Sequence, residues 1–122
     1  MARSQALGRY GEELAVRYLI QRGLVVIDRN WRCDIGEIDI IAREGSTLVF
    51  CEVKTRSAID VGHPLEAISP RKIRRLRRLA LRWLMARSIH APIVRFDVVG
   101  VIQPRAGAPV ISHVPGIDIT WD

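Results

Sequence analysis

The chain has 122 residues and a mass of 13.8 kDa, with 48% hydrophobic and 26% charged residues. That is the composition of one globular domain, expected to span 1–122, and it excludes a disordered or fibrous chain. Two cysteines, Cys33 and Cys51, exclude a disulfide scaffold and a four-cysteine zinc site. The opening Met-Ala-Arg-Ser lacks the apolar core of a secretion signal, and no apolar run approaches the roughly 20 residues of a membrane helix. A reduced, cytoplasmic protein with no membrane partner is therefore expected. Lys and Arg total 19 against 13 acids, a net charge of +6. Between Ala67 and Phe96 there are bases and no acid. Nearly all the bases are arginines, whose planar fork of donors suits phosphate, so a polyanionic partner is indicated.

Residues 4–22 read as a helix, because Leu7, Tyr10, Leu14, Ala15, Tyr18 and Leu19 recur at three- and four-residue steps and Gly23 ends the pattern. Leu24-Val25-Val26-Ile27 reads as a short strand, followed by a loop holding Asn30, Trp31, Arg32 and Cys33. Residues 37–43 and 47–55 read as two strands joined by the two-residue turn Gly45-Ser46. That turn sets a register in which Ile41 faces Phe50, Asp39 faces Glu52 and Glu37 faces Lys54. One face of the hairpin carries Ile38, Ile40, Ala42, Val49, Cys51 and Val53 and must be buried. The other carries Ile41, Leu48 and Phe50 near the turn, and Glu37, Asp39, Glu52 and Lys54 at the far end. A charge cluster beside a core is costly unless its members are paired or bind a cation.

Ser69 and Pro70 open a second helix as N-cap and first helical residue. Ile73, Leu76, Leu79, Ala80, Trp83 and Leu84 form its core face. Arg71, Arg74, Arg75, Arg78 and Arg82 fall within a wedge of about 100° opposite, at about 100° per residue. Five bases without interleaved acids repel one another unless solvated or bound to phosphate, so this stripe is a candidate nucleic-acid contact. Lys72 falls toward the inner side, where it either reaches the charge cluster or snorkels to solvent. Residues 93–102 read as a strand containing Asp97, and residues 110–121 as one or two short edge strands. The histidines His63, His90 and His113 lack partners at ligand spacing and read as loop or surface residues.

Phosphodiester hydrolysis needs carboxylates converging on a hard cation and a positive group near the attacking water. Asp39 and Glu52 on adjacent strands can share one Mg²⁺, the Val53 carbonyl can add an oxygen, and Lys54 can orient the water. Asp39 followed across a hairpin by Glu52-Val53-Lys54 resembles the PD-(D/E)XK, restriction-endonuclease-like superfamily. The segments Gly8-x-x-Gly11-Glu12, Arg29-Asn30-Trp31, Gly36-Glu37-Ile38-Asp39, Phe50-x-Glu52-Val53-Lys54-Thr55-Arg56 and Arg95-Phe96-Asp97-Val98-Val99 resemble more narrowly the bacterial YraN family, whose fold is similar to that of Holliday junction resolvases.

The resemblance implies an α/β endonuclease-like core: a mixed sheet flanked by helices, in the order α-β-β-β-α-β with short C-terminal strands. It implies Glu12 as a further site residue, Asp39, Glu52 and Lys54 as the core motif, and Mg²⁺ as the cofactor, with Mn²⁺ able to substitute. Ile38 stands where the superfamily motif has Pro. The resemblance also implies DNA rather than RNA as the partner, branched or damaged DNA among the substrates, and a homodimer. The competing reading is a binding module that keeps the fold without catalysis. For Glu37 the choice is between a second metal and a pairing with Lys54; for Asp97 it is between the site and the core.

Overall fold

The computed structural model describes residues 2–57, 62–90 and 92–117. The element order is α1 (Ala2–Gln21), β1 (Val25–Cys33), β2 (Gly36–Glu44), β3 (Thr47–Arg56), a 3₁₀ turn (Pro64–Ala67), α2 (Pro70–Ala86), β4 (Ile93–Ile102) and β5 (Val110–Val114). The strands form one sheet in the order β1-β2-β3-β4-β5. β3 and β4 are parallel and the other neighbours antiparallel. A parallel pair needs a crossover, and the 3₁₀ turn and α2 supply it. This is the mixed α/β arrangement, helices flanking the sheet, that the sequence predicts.

Local chemistry accounts for the boundaries. α1 closes with the Leu24 N–H on the Leu19 carbonyl (3.1 Å) and the Gly23 N–H on that of Ile20 (3.0 Å), which satisfies its last carbonyls. α2 opens with Ser69 Oγ accepting from the Lys72 N–H (3.2 Å) and Pro70 in the first turn. Gly45 takes φ +60° at the β2–β3 turn, and the register that follows pairs Ile40 with Cys51, Ile41 with Phe50 and Arg43 with Leu48.

Two cores sandwich the sheet. Ala15, Val16 and Leu19 of α1 pack on Ile40, Ala42, Val49, Cys51, Val53, Val99 and Val101. Leu76, Leu79, Ala80, Trp83 and Leu84 of α2 pack on Ile41, Leu48 and Phe50. The core face predicted for α2 is the buried one.

The structure corrects three expectations. β1 continues through Asn30, Trp31 and Arg32 to Cys33, so this stretch is strand and not loop. It was hidden by a bulge between Val26 and Asp28 and by Asn30 at φ +51°, which break the alternation. Ile38 packs in the α2-side cluster and not with Ile40. The ladder to β3 stops at Ile40–Cys51, so pairing with β3 does not set the face of Ile38. His113 is a residue of β5 whose side chain is only 8% exposed, not a loop or surface one: its Nε2 lies 2.8 Å from Asp97 Oδ2 and its Nδ1 3.3 Å from the Tyr18 hydroxyl. Of the one or two short edge strands expected over 110–121, Val110–Val114 forms one, and 118–121 lie outside the described residues.

Candidate functional site

β2 is paired with β1 out to Cys33–Gly36 but with β3 only as far as Ile40–Cys51. Past that last pair the two hairpin strands leave a corner in which Asp39 and Glu52 line one cavity of about 220 Å³. The Asp39 carboxylate makes up part of the missing ladder, since its Oδ2 accepts the Val53 N–H at 2.7 Å. One oxygen of Asp39 is thus fixed by the backbone of the Glu52-Val53-Lys54 motif.

The electrostatics of this corner are those of crowded acids. Burial, then the neighbouring Glu52 charge, push the Asp39 carboxyl up to about 8, against the pull of the Val53 N–H; Glu12 and Glu37 add to the rise. Burial also raises Glu52, and the charges of Lys54, Lys72 and Arg75 oppose that rise. Two half-buried carboxylates ringed by three cations form a site that gains from a further positive charge.

The cations come from two elements. Lys72 and Arg75 of α2 line the cavity with Leu76 and Leu79. The inward reading of Lys72 therefore holds, and Arg75, assigned from sequence to the outer stripe, reaches the carboxylates as well. Arg71 and Arg78 are exposed and Arg74 is half-buried. Arg82, at the far end of the stripe, is tied to Asp34 at 2.6 Å, and this bond holds Asp34 below the usual carboxylate range. Lys54 lines a second cavity with Glu12, between α1 and the outgoing end of β3.

Glu12 arrives through a close approach of α1 to β3. A Cβ at Gly11 would stand 1.9 Å from Thr55 Oγ1 and 2.8 Å from Thr55 Cβ, so only a glycine lets the helix lie at this distance. Asn30 then holds Glu12, its Nδ2 donating to Oε1 at 2.8 Å. Sequence reasoning missed Asn30 because it read this stretch as loop. The available signal was an asparagine, the residue that best tolerates φ > 0 after glycine, inside an otherwise strand-like segment.

Two further acids have partners of their own. Glu37 does line the carboxylate cavity, but its partner is Arg32 at 3.2 Å and not Lys54. Arg32 is its neighbour in the β1 ladder, which continues where the β3 ladder has ended. Asp97 is fully buried and structural. Arg95 donates to both its oxygens at 2.9 and 3.0 Å, and the Gly116 N–H adds a bond at 3.1 Å. Burial would raise this carboxyl, but the bonds to Arg95, His113 and Gly116 outweigh it and hold it low. Cys51 is core, and burial pushes its thiol up.

The donor set fits a hard cation that keeps much of its water. Among the described residues no three or more His, Cys, Asp and Glu side chains are grouped to hold an ion by themselves. A pair of carboxylates with one backbone-anchored oxygen matches the one or two that Mg²⁺ takes from protein when waters complete its shell. Among the described residues no helix is long and apolar enough to cross a membrane.

A model of the uncharacterised protein family UPF0102 matches residues 11–101, a span that holds Glu12, Asp39, Glu52, Lys54 and all of α2. The UPF0102 protein of Streptomyces griseus subsp. griseus is 57% identical over 113 residues, covering 92% of this chain and 95% of the relative. That of Beutenbergia cavernae is 53% identical over 117 residues, covering 96% and 99%. That of Nocardioides sp. is 52% identical over 113 residues, covering 93% and 91%. Matched over most of its length by both the family model and these relatives, the chain belongs to the uncharacterised protein family UPF0102, the YraN family that its motifs resemble.

Proposed function

We propose that this protein is a metal-dependent nuclease that cleaves phosphodiester bonds in DNA. The observation that carries the reading is the pair Asp39 and Glu52, crowded in one cavity at the open corner of the sheet with Lys72 and Arg75 beside them. The resemblance of Glu12, Asp39 and Glu52-Val53-Lys54 to the PD-(D/E)XK pattern supports it from the sequence side. Asp39, Glu52 and the Val53 carbonyl are the groups that would hold Mg²⁺. Bound there, the metal would supply Lewis-acid stabilisation of the phosphoryl oxygens and a more acidic water.

The chain's own residues have separable roles. Lys54 holds and orients the attacking water and offsets charge developing on the phosphoryl group. Glu12, fixed by Asn30, hydrogen-bonds on the α1 side. Lys72 and Arg75 bind the incoming phosphate, and the exposed Arg71 and Arg78, with the half-buried Arg74 between them, extend that contact along α2.

The charged face of α2 also favours a second reading, a DNA-binding module without catalysis. One experiment separates the two: incubation with linear, nicked, flapped and four-way DNA, with Mg²⁺, Mn²⁺ or chelator. The nuclease reading expects metal-dependent cleavage of at least one substrate by the wild type and none by Lys54→Ala, which still binds. Tight binding with no cleavage of any substrate under either metal would leave the binding module.

A further inference from the structure

The cavity between α1 and the end of β3, about 380 Å³, has a composition of its own. Its cations are Lys54 and Arg56, and Ser57 adds a hydroxyl. Gly8 keeps its α1 wall free of a side chain, with nothing within 4 Å of a Cβ placed there. Glu12 is the one acid in the lining, and one of its oxygens is already engaged by Asn30. Thr55 turns its hydroxyl toward Gly11 and so closes the wall.

Arg56 is the residue this structure leaves unexplained. Its Nε is buried and has no hydrogen-bond partner among the described residues. A buried donor without an acceptor is unfavourable, and a guanidinium N–H in that condition is matched by an oxyanion such as phosphate. Gln103 Oε1, also buried without a partner, is the internal alternative; its backbone N–H already bonds the Arg56 carbonyl at 2.9 Å. Gln103 does not line the cavity and Arg56 does. Strand geometry sets the scale. β3 advances about 3.3 Å per residue, so Arg56 stands roughly 13 Å along the strand from Glu52. That is several nucleotides at 3.4 Å of duplex axis per phosphate. A backbone held at Glu52 therefore reaches Arg56 along the same strand.

We propose that this cavity seats a flanking phosphate of the DNA strand, with Arg56 as its recognition group. The proposal rests on the nuclease reading above and adds to it a backbone contact on the α1 side, separate from the α2 stripe. The test is equilibrium binding of a fluorescent flapped duplex, followed by anisotropy over a range of KCl in chelator so that nothing is cut. Wild type is compared with Arg56→Gln, Arg56→Lys and, as a control on an exposed loop, Arg105→Gln. Arg56→Gln is expected to reduce the slope of log K against log salt by roughly 0.7–0.9, the value of one lost phosphate contact. Arg56→Lys is expected to restore the slope with weaker binding, because a point charge replaces the fork. Arg105→Gln is expected to match wild type. Neutral methylphosphonate linkages, walked one at a time through the probe, are expected to reveal one non-scissile position that weakens wild type but not Arg56→Gln.

A wild-type slope in Arg56→Gln overturns the proposal, as does a linkage scan that shows no such position. If Arg56 serves only Gln103, Arg56→Gln and Gln103→Leu lower the melting temperature alike and leave the slope unchanged, which also overturns it. Should Arg56→Gln fail to fold, Arg56→Lys and the wild-type linkage scan decide the matter. A wild type that cuts DNA while the slope of Arg56→Gln is unchanged refutes this proposal alone. A wild type that binds no DNA refutes it together with the nuclease reading.

Discussion

Replacing Asp39 by asparagine is expected to make the metal-free protein more stable at pH 8 while abolishing its response to metal. The Asp39 carboxyl is raised from 3.8 to about 8, first by burial and then by Glu52. An acid raised in this way binds its proton more tightly in the folded state than in the unfolded one. Between about pH 4 and pH 8 the folded state therefore holds more protons, and stability falls as pH rises through that window. The carboxyl of Glu52 is raised too and contributes with the same sign. At 1.36 kcal/mol per pH unit the Asp39 difference has a ceiling of roughly 5–6 kcal/mol. Water in the cavity mouth and the polarisable surroundings reduce that to about 2 kcal/mol, given an effective dielectric constant near 20. For a domain of this size the gain corresponds to a melting temperature higher by roughly 5–10 °C.

The substitution isolates the charge. Asparagine keeps a carbonyl oxygen where Oδ2 accepts the Val53 N–H, so the bond that replaces the missing ladder contact survives. Thermal unfolding followed by circular dichroism from pH 4 to 9 in chelator is the assay. Wild type is expected to lose stability across the window and Asp39→Asn to show a flatter curve that crosses above it. Addition of Mn²⁺ at about 100 times its dissociation constant is expected to stabilise wild type by about 2.7 kcal/mol and the variant not at all. A flat wild-type curve, or a variant less stable than wild type at pH 8, would refute the electrostatic argument. An equal Mn²⁺ response in both would move the metal away from Asp39.

Two glycines of α1 are expected to respond in opposite ways. Gly11→Ala must displace Thr55 and is expected to destabilise by about 1–3 kcal/mol, whereas Gly8→Ala, with open space around its Cβ, is expected to stabilise by up to about 1 kcal/mol; chemical denaturation of both decides it, and equal effects would contradict the close approach. Asn30→Gly keeps the left-handed backbone but removes the donor to Glu12. It is expected to lower kcat for DNA cleavage by about tenfold or more while DNA affinity holds, and unchanged kcat would remove Glu12 positioning from the site. Changing Arg74, Arg75 and Arg78 together to Ala is expected to lower the salt slope of DNA binding by roughly 2–3 at about 0.9 per contact, and an unaltered slope would make that face of α2 an ordinary solvated one.

The legible parts of this fold were those specified by neighbours in sequence. Ser69-Pro70 and the apolar steps from Ile73 to Leu84 mark α2 because cap, first turn and core face all lie within one helix. Gly45-Ser46 sets the hairpin register because a two-residue turn leaves no freedom in pairing. The features that were not legible depend on partners far along the chain. β1 extends to Cys33 because β2 offers it a ladder, although Asp28, Arg29 and Asn30 are poor strand formers by themselves. His113 is drawn inside by Asp97, 16 residues earlier, and by Tyr18 at the start of the chain. Glu37 turns to Arg32 because the β3 ladder stops before it would reach Lys54, while the β1 ladder continues. At the site, the core motif was readable as alternation on two strands, whereas Asn30 and the inward reach of Arg75 needed the positions of α1 and α2 over the sheet.

That stopping point explains why the charges gather where they do. A sheet corner whose strands are fully paired and covered by helices offers no place for half-buried acids, since each would displace a ladder bond or a core contact. Here β2 keeps its ladder to β1 through Gly36 and gives up its ladder to β3 after Ile40, so one corner is open on one side only. Three elements meet there for separate reasons. α1 approaches because Gly11 has no side chain opposite Thr55. The first turns of α2 bring Lys72 and Arg75 because Ile73 and Leu76 are anchored in the cores beside them. The Val53 N–H, left without a ladder partner, holds Asp39. The apolar cores on both faces supply the stability that an acid raised to about 8 takes away. A site assembled this way can lose its charges one at a time without losing the fold, so function and stability are separable by mutation at Asp39 and inseparable at Gly11.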